Sequence, residues 1–119
     1  MGRAGSLGRS FRYAFAGISY CLRTQRNFRI HTLAAGLVAV LGGLLGLAWT
    51  EWAILALTVT MVLAAEMVNT VVEAAVDLAS PDYHPLAKVA KDVAAGAVLL
   101  TALGAVTVGI CIFVPHLLR

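Results

Sequence analysis

The sequence predicts an all-α integral membrane protein, with three transmembrane helices preceded by an N-terminal amphipathic surface helix. Three observations predict it. Of 119 residues, 61% are hydrophobic and only 13% are charged, whereas an ordinary soluble domain is about a quarter charged. Three long apolar stretches are separated by short breaks. The positive charge is gathered at one end, since six of the nine Lys and Arg precede His31. So few charges cannot clothe a surface bathed in water, and lipid is the solvent that suits the rest. The length allows one compact domain, and residues 1–119 are read as a single membrane-embedded unit.

Residues 6–26 read as the surface helix. At about 100° per residue, Leu7, Phe11, Ala14, Phe15, Ile18 and Leu22 fall on one face, and Arg9, Arg12, Ser19 and Arg23 on the other. Such a helix lies in a membrane interface with its apolar face down. A secretory signal does not fit, because no small-residue cleavage site follows a short apolar core. The basic segment sits against a span, so it points to an anionic membrane surface and not to a nucleic acid.

Residues 30–49 form the first span. Their length of about 30 Å matches a hydrocarbon core. Gly42 and Gly46 make a small-xxx-small pair that permits close helix packing. Thr50 and Glu51 are read as a short turn between Trp49 and Trp52, two aromatic anchors of the interface. Residues 52–79 form the second span. Pro81 biases Ser80 away from the helical region and ends it. Residues 86–114 form the third. The arginine-rich N-terminus and the Lys88/Lys91 side are expected in the cytoplasm by the positive-inside rule. Cys21 and Cys111 lie far apart in apolar segments, as neither a disulfide framework nor a zinc spacing. His116, near the C-terminus, is expected to be solvated.

The second span carries an anomaly. Glu66, Asn69, Glu73 and Asp77 are spaced 3, 4 and 4 residues apart, which places them within an arc of roughly 80°. A charged residue at the bilayer centre costs about 2.5–3.5 kcal/mol even on a lenient insertion scale. Lone polar residues in such helices are often structural, but several on one face point to a working site. Depth divides them. With Trp52 at the outer interface, about 30 Å of helix ends near residue 72. Glu66 then lies roughly 9 Å inside, Glu73 at the edge and Asp77 in water. Burial disfavours a carboxylate's charged form, which suits a general base. An ionised carboxylate at the edge suits a hard cation such as Mg²⁺. Lys91 and Asp92 enter the third span at the same level, where lysine offers a point charge to a phosphate. Lys88 reads as an anchoring cation. His31, at the start of the first span, fits either substrate contact or the interface.

The run Glu66-Met-Val-Asn69-Thr-Val-Val-Glu73-Ala-Ala-Val-Asp77 resembles the signature of the prokaryotic diacylglycerol kinase family. The segment from Ser80-Pro-Asp-Tyr-His-Pro through Lys91-Asp92 continues the match, as do Ser10 to Ile18 and Asn27-Phe-Arg-Ile-His31. His31 and Asp82-Tyr-His-Pro are closer to the undecaprenol kinase branch. The resemblance covers nearly the whole chain, and its paired motifs are specific. It implies a homotrimer in the bacterial inner membrane, with active sites shared between neighbours, that transfers phosphoryl from MgATP to a lipid hydroxyl. Glu66 matches the general base and Glu73 the metal ligand. Tyr13, Asp82, Tyr83, His84, Lys91 and Asp92 match nucleotide-contacting positions, while Asn69 and Asp77 match supporting polar ones. Two departures stand out. Gln25 occupies the place of a second metal-binding Glu, and Ser6 that of an arginine.

Neither a Walker sequence nor a kinase glycine loop is present. The resemblance favours undecaprenol as substrate, with diacylglycerol the alternative. A non-enzymatic reading stays open beside it: a degenerate kinase relative, or a proton-coupled carrier whose intramembrane carboxylates relay protons.

Overall fold

A computed structural model describes residues 4–119. Four helices follow in order: α1 Ala4–Thr24, α2 Arg26–Leu45, α3 Trp49–Ala79 and α4 Pro85–Leu117. The last three are long and apolar enough to cross a membrane.

A single residue separates α1 from α2. Gln25 is extended, at φ −105° and ψ 109°, and the helix resumes at Arg26. Arg29 explains the early start. Its Nη1 donates to the carbonyls of Leu22 and Arg23, at 3.4 and 3.0 Å, and so satisfies the open C-terminus of α1. Residues 27–29 are therefore the first turn of α2 and not a connector.

The turn between α2 and α3 is not at Thr50–Glu51, where the sequence placed it. Gly46 caps α2 in the left-handed region, at φ 70° and ψ 58°, a conformation that glycine adopts without steric cost. The N–H groups of Gly46 and Leu47 both reach the Gly42 carbonyl. Helix α3 then begins at Trp49. Glu51 sits inside its first turn, where its Oε1 accepts the Ala48 N–H at 3.0 Å. A carboxylate there satisfies an orphan donor and suits the positive end of the helix dipole.

Gly42 and Gly46 consequently do not form a packing stripe, since one of them ends the helix. Gly42 instead admits Trp52. A Cβ at Gly42 would lie 2.7 Å from the Trp52 ring and 2.8 Å from Leu47 Cδ1, whereas one at Gly43 meets nothing within 4 Å. Gly42→Val is expected to cost about 1–3 kcal/mol by overpacking, read as a lowered thermal midpoint in detergent. Gly43→Val is the control and should leave the midpoint within a degree or so of wild type, on the order of a surface change.

Helix α3 packs most extensively on α4 and less on α2, while α1 touches α2 and α3. A small core gathers where the chain turns at Gly46, with Leu47, Leu55, Ile112 and Phe113 buried against Val38, Leu45, Trp52 and Val108. Here also the side chain of His116 is enclosed and not solvated, although the residue as a whole is half-buried. Its Nε2 lies 3.0 and 3.1 Å from the two Glu51 oxygens, with only 5% of the side chain exposed. The same carboxylate thus caps α3 and ties the end of α4 to it. Most other large apolar side chains face outward, among them Leu99, Leu100, Leu103, Val106 and Ile110 along α4. An all-round apolar helix is what a lipid-facing span requires. The apolar residues Leu7, Phe11 and Phe15 of α1 are exposed too. Cys21 is buried, Cys111 is exposed and both are free thiols.

At the opposite end, Ser80 ends α3 and its Oγ donates to the Asp82 carbonyl at 3.0 Å. His84 is the N-cap of α4. Its Nδ1 accepts the Leu86 N–H at 3.1 Å, and Pro85 occupies the first helical position, where a missing N–H costs nothing.

Candidate active site

The polar face of α3 is built one turn at a time. Glu66 is the single buried charged residue among those described, with 4% exposure. Thr70 turns its hydroxyl back to the Glu66 backbone carbonyl at 2.9 Å. Glu66 Oε1 and Asn69 Oδ1 are both buried without a hydrogen-bond partner. A buried acceptor left open is costly unless something donates to it. His31 Nε2, from α2, lies 3.2 Å from Glu66 Oε1, close in distance but off the line of a hydrogen bond. Asn69 Nδ2 donates to Glu73 Oε1 at 3.1 Å, so the amide links the buried and exposed parts of the stripe. Glu73 and Asp77 are exposed. Along the axis, Glu73 stands about 10 Å and Asp77 about 16 Å from Glu66.

Where α3 ends, a cleft of about 310 Å³ opens between it and α4. Asp77, Ser80, Asp82, Tyr83, His84, Lys88, Lys91 and Asp92 line it. Lys91 Nζ reaches Asp77 Oδ1 at 2.5 Å, and Lys88 Nζ reaches Asp92 Oδ2 at 2.6 Å. Lys88 is therefore an ion-pair partner within the cleft, beyond the anchoring role its position suggested. Both pairs are exposed, and such pairs contribute about 0–1 kcal/mol, so an incoming anion displaces them at little cost. Because the His84 Nδ1 accepts a backbone N–H, its proton belongs on Nε2, which leaves that nitrogen as a donor.

The structure thus gathers Asp77, Asp82, Tyr83, His84, Lys91 and Asp92 in one cleft. It places Glu66, Asn69 and Glu73 on the adjoining face of α3. Tyr13 and Gln25 are not among the residues lining the cleft. Gln25 Nε2 donates to Thr24 Oγ1 at 3.2 Å, and its amide oxygen accepts no hydrogen bond among the described residues. No group of three or more His, Cys, Asp or Glu is arranged for a metal among those residues. Mg²⁺ does not need one. It is commonly held by one or two carboxylates together with substrate phosphates, and the exposed Glu73 with an open amide oxygen fits that donor set. One contact at this site that the sequence did not disclose is His31 to Glu66. Polarity within apolar spans and the family motif marked the two residues, but nothing marked them as neighbours.

A multi-pass membrane protein with a polar cleft at one end and a buried carboxylate beneath it is the class that this geometry defines. The family model for prokaryotic diacylglycerol kinase matches residues 12–113, and the chain belongs to that family of lipid kinases. A diacylglycerol kinase of Synechocystis sp. is 54% identical over 110 residues, covering 92% of this chain and 63% of the relative. An undecaprenol kinase of Bacillus subtilis is 43% identical over 109 residues, covering 92% and 89%. A diacylglycerol kinase of Helicobacter pylori is 33% identical over 88 residues, covering 74% and 69%. The chain thus spans less than two thirds of the Synechocystis relative and most of the Bacillus one.

Proposed function

We propose that this chain phosphorylates a membrane lipid alcohol with MgATP, and that the alcohol is undecaprenol. The observation that carries the reading is the pair of open acceptors, Glu66 Oε1 and Asn69 Oδ1, buried on the face of α3 that leads to a cleft holding Lys88, Lys91 and His84 beside Asp77, Asp82 and Asp92. The lipid hydroxyl donates to the Glu66 carboxylate, and the phosphates of a nucleotide enter the cleft. Lys91 exchanges Asp77 for phosphate oxygens, with Lys88 and the Nε2–H of His84 beside it. Tyr83 and Asp82 flank the nucleotide. Glu73 and Gln25 are the residues that hold Mg²⁺, which neutralises charge on the triphosphate when bound. Glu66 takes the hydroxyl proton as the new oxygen–phosphorus bond forms, and the γ-phosphoryl group separates from ADP. Phosphoryl transfer needs chiefly positioning and charge neutralisation, so an improvised cleft suffices.

The lipid tail has a route. An apolar cavity of about 140 Å³ begins at His31 and continues between Ala35, Val38, Leu55, Val62 and Phe113. That is below the roughly 300 Å³ of a drug-sized pocket, and suits one stretch of hydrocarbon with the remainder in the bilayer. The cleft and the N-terminus face the cytoplasm of a bacterial cell, where ATP is, and α1 lies on that face of the inner membrane as an amphipathic helix. The active unit is a homotrimer. Each subunit leaves broad apolar faces uncovered, and Tyr13 and Gln25 complete the site from positions outside the cleft of their own chain.

The substrate is tested by competition. Undecaprenol and diacylglycerol are presented together in nanodiscs with γ-labelled ATP. The label is expected preferentially in undecaprenyl phosphate. Preferential labelling of diacylglycerol overturns the substrate and keeps the chemistry, whereas labelling of neither supports a non-catalytic relative.

A further inference from the structure

His31 has no task in the reaction as described, yet among the described residues it is the one basic side chain that pairs with the buried base. Its Nε2 is 3.2 Å from Glu66 Oε1, with 28% of the His31 side chain and 5% of the Glu66 side chain exposed. Among the described residues no lysine or arginine, from any helix, forms an ion pair with Glu66. Glu73, the next acidic group along α3, is two turns away and engaged by Asn69. The cavity that α2, α3 and α4 share beneath this point has His31 as its single titratable lining residue. An ionised carboxylate in such surroundings needs a donor, and the imidazole is the one within reach.

We infer that His31 is a positioning residue for the base: its ring N–H holds the Glu66 carboxylate in the orientation that receives the lipid hydroxyl's proton. This rests on the lipid kinase reading above. The distance between the two groups is already that of a hydrogen bond, and the alignment is not. Such misalignment is usual before substrate binds, and the bond tightens in the reactive complex. The remaining Glu66 oxygen then faces the hydroxyl in one rotamer, and near-attack geometry of this kind is what a base requires. His31 accepts no proton in this scheme. The proton leaves the hydroxyl for Glu66 as the oxygen–phosphorus bond forms and ADP departs.

The test compares steady-state kinetics in nanodiscs for His31→Ala, His31→Gln, Glu66→Gln and the double variant His31→Ala/Glu66→Gln. A hydrogen bond to a charged group is worth about ten- to a hundredfold. His31→Ala is expected to lose that much kcat with KM for MgATP and for lipid unchanged. His31→Gln, which returns an N–H at similar reach, is expected to recover most of it. In the Glu66→Gln background His31→Ala should change the residual rate by less than about twofold. Should His31→Ala fail to fold, His31→Met, similar in bulk and lacking the donor, replaces it in the same comparisons. Wild-type kcat in the donor-free variant overturns the inference. So does a loss expressed in KM, a loss without recovery in His31→Gln, or an equal loss on the Glu66→Gln background. Wild-type turnover in Glu66→Gln itself instead removes the kinase assignment of the stripe, so the two failures are distinct.

Discussion

Replacing Glu66 by Gln is expected to reduce phosphoryl transfer by roughly a hundred- to ten-thousandfold, about 3–5 kcal/mol of barrier. ATP binding and the assembled protein should be unaffected. The amide has the same shape and removes only the site for the proton. Glu66 is buried, forms no ion pair with a basic side chain other than His31 among the described residues, and lies about eleven residues of helix, roughly 16 Å, from Asp77 in the cleft. A loss confined to kcat, with KM for MgATP held, follows from that separation. The check is single-turnover transfer at saturating lipid, with thermal midpoints of both proteins measured in the same detergent.

Glu73→Gln is expected to raise the Mg²⁺ requirement at least ten- to a hundredfold, the loss found on removing even a supporting residue of a metal site. The reason lies partly in Gln25. If Glu73 and Gln25 hold the metal as proposed, Glu73 is the one charged protein ligand of the pair, and its removal leaves the cation an amide oxygen beside the nucleotide phosphates. Raising Mg²⁺ should restore part of the activity. Gln25→Glu should move the requirement the other way, to lower Mg²⁺, in the otherwise unchanged chain. Titration of activity against free Mg²⁺ at fixed ATP measures both, and identical curves for wild type and Glu73→Gln would remove this residue from the metal site.

The architecture was largely legible because it rests on composition and period. Apolar runs of span length and the 3, 4, 4 spacing of the stripe survive any detail of packing. The break near Trp49 was not. A polar pair between two tryptophans looks like a turn, but Gly46, ahead of both tryptophans, takes the left-handed conformation, and Glu51 is drawn into α3 as its cap. His116 was misplaced for a related reason: its partner is Glu51, 65 residues away in the chain. Only the approach of α3 to α4 brings them together. The Lys91 contact with Asp77 was closer to hand, since both residues flank one short loop. The His31 contact depends on how α2 is rotated against α3, which no spacing within either helix encodes. For Tyr13 and Gln25, helical position is readable from sequence, and both lie outside the lining of the cleft in their own chain.

The account stands on one transfer. Purified protein in nanodiscs containing undecaprenol, given ATP labelled in its γ-phosphate, is predicted to move the label to the lipid. That labelling should require Mg²⁺, and Glu66→Gln should suppress it at unchanged nucleotide affinity. Absence of label from undecaprenol and diacylglycerol alike, or equal labelling by wild type and Glu66→Gln, would contradict it.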